Sequence, residues 1–243
     1  MQNHLHIIKD EEMLRDFIDD VLPTPSSTEC FMVSLFARKK YLTEAQKASV
    51  FITRNAQLRR EFAWGTQDII KKIRLFECPN VYTDHNGNSI PESCFVMYIT
   101  TNPRNIKKAG YKTAARILKN YYDGQSTNPL KVARIELQNA YTRYFVDIDI
   151  DVNSADEFKF SMESLWKILG NSKPETIITK GGAHILLRTD KIDPAVRKTF
   201  HEDIKELSDK ITGHIEFRRD ALLPIPGCKQ ADMYPIYAHE RKY

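Results

Sequence analysis

One run of nine residues constrains this chain more than any other: Tyr144-Phe145-Val146-Asp147-Ile148-Asp149-Ile150-Asp151-Val152. Its alternation has the period of a β-strand, with Tyr144, Val146, Ile148, Ile150 and Val152 on one face and Asp147, Asp149 and Asp151 on the other. The apolar face predicts a strand lying on a core. Carboxylates at i, i+2 and i+4 stand roughly 7 Å apart and repel one another unless a cation intervenes. Hard oxygen ligands at that spacing suit Mg²⁺ or Mn²⁺, which take one or two carboxylates and leave positions for water and phosphate. A solvated polar face is the alternative reading, but Asp is disfavoured in strands, so three in one strand need a reason.

The residues that follow supply a setting for that strand. A helix is predicted over about 155–169, capped by Ser154 and closed by Gly170. Ile177-Ile178-Thr179 reads as a short strand, Lys180-Gly181-Gly182 as a turn and His184 to Arg188 as the returning strand. A second helix is predicted from Asp193-Pro194 to Gly213, with Val196, Phe200, Ile204, Leu207 and Ile211 along one stripe. His214 to Phe217 is the last strand. The order β-α-β-β-α-β is the ferredoxin-like or RNA-recognition-motif topology. In such a sheet the first and third strands are neighbours and the fourth flanks the first. Asp147, Asp149, His184 and Glu216 are therefore expected to converge on one face.

The first half is less patterned. A short helix is predicted from Asp10 to about Val21, a strand over Cys30 to Phe36, and a helix capped by Thr43 through the Glu44-to-Arg60 region. Asp68 to Phe76 reads as helical, Asp84-His85-Asn86-Gly87-Asn88 as a turn, Cys94 to Thr100 as a strand, and the segment to about Tyr122 as a basic helix. Asn102-Pro103-Arg104 reads as a strand-to-helix turn, although its guanidinium is a candidate for a template or nucleotide contact. The fold class expected is α+β in a single domain, with an N-terminal α/β lobe over about 1–130 packed on a catalytic lobe over about 131–243.

Composition narrows the setting. With 42% hydrophobic and 28% charged residues the chain has the make-up of a globular domain. No apolar run approaches a membrane span, and the opening MQNHLHIIKDEE lacks a signal-peptide pattern, so a cytoplasmic location is expected, in the host cytosol if the gene belongs to a phage or plasmid. The four cysteines are scattered without a CxxC pair, which argues against a zinc knuckle or a disulfide framework. The net charge is only +4, but basic residues cluster at Arg38-Lys39-Lys40, Arg59-Arg60, Lys71-Lys72 and from Arg104 to Lys119 among aromatics such as Tyr41, Trp64 and Tyr111. Single-stranded nucleic acid is bound by that combination, and helix-surface lysines with core aromatics produce it too.

Three motifs in order make the chain resemble the archaeo-eukaryotic primase superfamily, the primase-polymerases. The hydrophobic run into Asp-x-Asp is matched by Tyr144-Phe-Val-Asp147-Ile-Asp149. The glycine-containing turn and histidine opening a strand are matched by Thr179-Lys-Gly-Gly-Ala-His184. The hydrophobic residue and acid on a late strand are matched by Ile215-Glu216-Phe217, leading to Pro224-Ile-Pro-Gly227. The resemblance covers about residues 140–232. It implies template-directed nucleotidyl transfer on single-stranded DNA from dNTPs or NTPs, with a replicative helicase as a further partner. It implies that Asp147, Asp149 and Glu216 hold two divalent ions, with Asp220 the alternative third acid. Thr179, Lys180, Gly181, Gly182, His184 and Arg188 would bind the nucleotide, the two glycines by admitting phosphate to backbone N–H groups. Without a cysteine cluster for zinc, extension is implied more directly than primer initiation. A metal-dependent nuclease and a non-catalytic single-stranded nucleic-acid-binding module are the alternatives.

Overall fold

Helix α1 (Glu11–Asp20) starts where the Asp10 carboxylate accepts the Met13 N–H, and it buries Leu14, Phe17 and Ile18. The computed structural model describes residues 5–79, 81–218 and 222–238. Over these the chain is α+β, with two antiparallel sheets. After α1 come β1 (Glu29–Arg38), α2 (Glu44–Ser49), β2 (Asn55–Ala63), α3 (Thr66–Glu77), β3 (Phe95–Thr100), β4 (Arg104–Asn105), α4 (Ile106–Tyr122) and α5 (Pro129–Asn139). The second half contributes β5 (Phe145–Asp151), α6 (Ala155–Leu169), β6 (Glu175–Thr179), β7 (Gly182–Arg188), α7 (Phe200–Ser208), β8 (His214–Arg218), β9 (Leu222–Pro224) and β10 (Ile236–Ala238).

The first sheet has the order β2-β1-β3-β9, with β4 also paired to β1. The second runs β10-β6-β7-β5-β8. The first lobe, expected as α/β, therefore carries an antiparallel sheet, and β9 returns from the second half to pair with β3.

Three sequence expectations need correction. The helix expected from Glu44 to Arg60 stops at Ser49. Thr43 caps the helix as anticipated, in a capping box with Gln46, but Val50 turns extended and Asn55–Ala63 pairs along β1. Without β2 the outer edge of β1 would leave buried backbone N–H and C=O groups unpaired, so tertiary pairing overrides local helix preference. The helix expected from Asp193 becomes regular only at Phe200. The Asp193 carboxylate is committed to the Asn171 and Ala195 N–H groups, which ties this stretch to the end of α6. The apolar-face strand begins at Phe145, so Tyr144 precedes it and packs against the first lobe's core rather than under α6. Helix α5 and the short strands β4, β9 and β10 carry no period that the sequence reveals.

Two clusters build the core. On one face of the second sheet Ile148, Ile150, Ala183, Ile185, Leu187 and Ile215 pack beneath Met162, Leu165 and Leu169 of α6 and Phe200, Ile204 and Leu207 of α7. On the other face Phe145, Ile177, Leu186 and Tyr237 join the cluster formed by Leu35, Met97, Ile99 and Leu223 of the first sheet. Each of the leucines, isoleucines, methionines and phenylalanines among them contributes about 1.5–3 kcal/mol by leaving water. The carboxylate face of β5 is thus turned toward the first lobe, between apolar residues that fasten the two lobes together. Among the described residues no helix is long and apolar enough to cross a membrane.

Candidate active site

Strand alternation carries Asp147 and Asp149 to that inter-lobe face, where they are 1% and 6% exposed. Cross-strand register then decides their neighbours. Asp149 stands opposite His184 on β7 and opposite Glu216 on β8, while Asp147 stands opposite Leu186 and Arg218. Glu216, Asp149 and His184 form one row across three strands, the convergence that the β-α-β-β-α-β order predicts. Ile215 and Phe217 pack with the helices, which turns Glu216 the other way. Asp151 ends the strand opposite Gly182 and His214 and is exposed.

His184 is buried between the two aspartates. Its Nδ1 lies 3.1 Å from Asp147 Oδ1, and its Nε2 lies 3.5 Å from Asp149 Oδ1. Burial disfavours the imidazolium, but the carboxylates of Asp147 and Asp149 outweigh it and the His184 pKa is raised. The Asp149 pKa is raised too, chiefly by burial, against the opposing pull of His184 and Arg218. Glu216 has its carboxylate pKa lowered: burial raises it, and the guanidinium of Arg218 more than compensates.

Arg218 is the residue that sequence reasoning missed. Its Nη2 lies 2.5 Å from Asp149 Oδ2 and its Nε 2.7 Å from Glu216 Oε1, so one guanidinium bridges the two acids. The signal was available in the alternation, because Arg218 lies two residues beyond Glu216 on the same face. The first lobe adds a second set. Lys40 is close enough for the carboxylates of Asp151 and Asp149 to support its charge, although burial first and Arg38 second lower its pKa. Arg38 donates to the Tyr98 hydroxyl, and the Lys40 and Lys180 ammonium groups each lie 5.2 Å from the centre of the Tyr41 ring. A pocket of about 420 Å³ opens there, lined by Lys40, Tyr41, Leu42, Thr43, Lys180 and Gly181.

The expected nucleotide-binding residues divide. Thr179, Lys180, Gly181 and Gly182 form the end of β6 and the turn into β7, beside that pocket and close to Asp151. Lys180 donates its N–H to Gln230 and pairs its ammonium with Asp232. Gly182 has a reason of its own. A Cβ there would lie 1.8 Å from the Ile150 carbonyl oxygen, and its φ is +155°, so close strand packing requires glycine. Arg188 shares a face with His184, yet its guanidinium forms a two-point pair with Asp190 away from the acids. Arg104, a candidate for template contact, is buried and donates to the Gln138 carbonyl. Asp220 lies outside the described residues.

Asp147, Asp149 and Glu216 supply hard oxygen donors. Among the described residues no three His, Cys, Asp or Glu side chains gather as a ready metal cage. Asp147 is turned to His184, and Asp149 and Glu216 to Arg218. A positive group, the Arg218 guanidinium, already sits between Asp149 and Glu216 and compensates their charge. Compared with family models, with curated proteins and with solved structures, the chain finds no match in any of the three.

Proposed function

We propose that this chain is a nucleotidyltransferase of the primase-polymerase type, extending a strand on a single-stranded DNA template from (d)NTPs with Mg²⁺ or Mn²⁺. The observation that carries the reading is the row Glu216–Asp149–His184, with Asp147 beside it, on the face turned toward the first lobe, where Lys40 lies near enough to feel Asp149 and Asp151. We read the second sheet as a ferredoxin/RRM-like core. The order β6-β7-β5-β8 and the placement of α6 and α7 on one face support this.

Asp147, Asp149 and Glu216 would hold the divalent ions. When bound, such ions polarise the α-phosphate, lower the pKa of the attacking hydroxyl and neutralise the departing pyrophosphate. The chain's own residues do the rest. His184 fixes the orientation of Asp147 and Asp149 from within the sheet, a positioning role in place of the direct triphosphate contact that the family resemblance implies. Lys40 and Lys180, whose ammonium groups each lie 5.2 Å from the centre of the Tyr41 ring, would offer cations to a triphosphate there, Lys180 on leaving its pair with Asp232. Arg218 holds Asp149 and Glu216 together, and these acids would be free to hold an ion only where its guanidinium is turned aside.

The test is incubation with labelled nucleotides, a primed single-stranded template and Mn²⁺ or Mg²⁺, with products read by size. Elongation is expected, and Asp149→Asn or Glu216→Gln should reduce it at least about a hundredfold, the scale of losing one strong transition-state electrostatic contact. Shortening of the strand instead would assign the acids to hydrolysis, and no metal-dependent product of either kind would sink the enzymatic reading.

A further inference from the structure

Helices α4 and α5 form a hairpin whose outward side has no counterpart in the rest of the fold. Only a narrow stripe of α4 is covered. Ile106, Ala109, Thr113, Ile117 and Asn120 recur at helical spacing toward α5, and of these Ala109 alone is fully buried. The opposite side is open, with Tyr111, Tyr121 and Tyr122 at 68%, 77% and 83% exposure and Leu118 between them. Single exposed aromatics need no explanation. Here Tyr111, Leu118 and Tyr122 fall on one face by their spacing of seven and four residues, spanning about 16 Å at 1.5 Å per residue. Lys108, Lys112 and Lys119 flank the same face at i, i+4 and i+11.

The charge of this hairpin is one-sided. Helix α4 carries five basic residues and no acidic one. Residues 106–139 carry seven basic and two acidic residues, a net +5 against +4 for the whole chain, so the remainder is slightly acidic. Arg116 is neutralised by Glu136 of α5 at 2.9 Å. Among the described residues none of the four lysines of α4 forms an ion pair. An apolar helix face awaiting a protein partner would not need that uncompensated charge, whereas a phosphate backbone does. Tyrosine rings offered beside lysines give successive bases a stacking surface without demanding a sequence.

We propose that the outward face of α4, with Tyr111, Tyr121 and Tyr122 as stacking rings and Lys108, Lys112 and Lys119 as phosphate contacts, binds single-stranded nucleic acid. This surface is separate from the acids of the second sheet. The hairpin follows β4, which pairs with the Glu29–Cys30 end of β1, whereas Lys40 follows the other end of that strand. At about 3.3 Å per residue, β1 separates the two attachment points by about 30 Å. The hairpin's strand binding requires neither nucleotide nor divalent ion.

The test is fluorescence anisotropy of labelled oligodeoxythymidine of about 20 nucleotides, in EDTA, over a salt series. Wild-type protein should bind it more tightly than duplex of the same length. Tyr111→Ala and Tyr122→Ala should each weaken binding at least about fivefold, the lower end of the loss for one stacking aromatic, and Tyr111→Phe and Tyr122→Phe should retain it. Replacing Lys108, Lys112 and Lys119 together by Ala should flatten the slope of log Kd against log salt by about 2, at about 0.7 per phosphate contact on a single strand. All these side chains are exposed, so melting temperatures should not move. No binding by the wild type, equal affinity for duplex, or unchanged affinity in the variants each overturns the proposal. So does a tyrosine variant that loses self-association in sedimentation while keeping oligonucleotide affinity, which would make the face a contact between copies. Failure of nucleotide incorporation would sink the acid-site reading and leave this binding result standing.

Discussion

Arg218 lies against Asp149, its Nη2 2.5 Å from Oδ2, and the same guanidinium reaches Glu216 through Nε at 2.7 Å. Two acids on adjacent strands are thereby held together by a side chain from one of those strands. A buried carboxylate such as Asp149 is costly without a compensating cation, and Arg218 supplies that cation from inside the sheet.

Arg218→Ala should therefore lower stability in EDTA by about 1–2 kcal/mol, because Asp149 loses its partner while Arg218 itself is partly in water. Mn²⁺ should restore more stability to this variant than to the wild type and bind it at least about fivefold more tightly, read by calorimetry. Equal Mn²⁺ affinity in the two proteins would mean that the guanidinium does not occupy a cation's position.

Gly181 and Gly182 should respond differently to alanine. At Gly182 the new Cβ meets the Ile150 carbonyl oxygen at 1.8 Å, a backbone atom that cannot move without opening β5 from β7. Gly182→Ala should cost at least about 3 kcal/mol, with backbone strain added to overpacking. At Gly181 the nearest atom is a side-chain oxygen of Asp151 at 3.0 Å, which can swing aside. Gly181→Ala should stay within about 1 kcal/mol of wild type by urea unfolding. Comparable losses for both would contradict the packing account.

Glu157 joins the end of β5 to the start of β8. Its carboxylate accepts the N–H of Asn153 at 2.9 Å and of Gly213 at 2.9 Å, together with the N–H and hydroxyl of Thr212. The Asn153 and Gly213 amides, with Thr212, hold its pKa down at about 2, below the ordinary 4.5. A depressed folded-state pKa adds stability above about pH 4.5 and loses it as pH falls toward 2. The difference in urea midpoint between wild type and Glu157→Gln should be full at pH 7 and shrink between pH 4.5 and 2. A difference that stays constant across that range would show that the charge of Glu157 is irrelevant to this junction.

Asn102 fastens the start of β5 to the end of β3. Its Oδ1 accepts the Tyr144 and Phe145 N–H groups at 2.7 and 2.9 Å, and its Nδ2 donates to the Phe145 carbonyl at 3.1 Å. Asn102→Ala orphans these buried groups and should destabilise by about 2–4 kcal/mol, at about 1–3 for each unsatisfied group with partial relaxation. Asn102→Asp keeps the acceptors but faces a carbonyl with a carboxylate oxygen, so it should also melt well below wild type. Wild-type stability in Asn102→Asp would remove the donor's role.

What the sequence by itself determined is local. The two-residue period of 145–151 set both which side chains enter the core and which carboxylates face out, and Ser154 and Gly170 bracketed α6 because capping and positive-φ closure are properties of single positions. Once the order of the four strands was read, the convergence of Asp147, Asp149, His184 and Glu216 on one face followed, since a shift by one residue would have sent Ile148 and Ile150 to the polar face, whereas the register that sets Glu216, Asp149 and His184 in one row came from the paired strands. Tertiary structure alone decided the rest. Strand β2 forms because β1 needs a partner along its edge, and its half-buried residues carry no clean period. Strands β9 and β10 are three residues each, too short for any pattern. Lys40 and Asp149 are more than a hundred residues apart, and only the packing of one sheet against the other makes them neighbours. Arg218 could have paired with solvent, or with Glu216 of its own strand alone. It bridges Asp149 and Glu216 because burial makes an uncompensated carboxylate expensive, a cost that exists only after the lobes have closed over it.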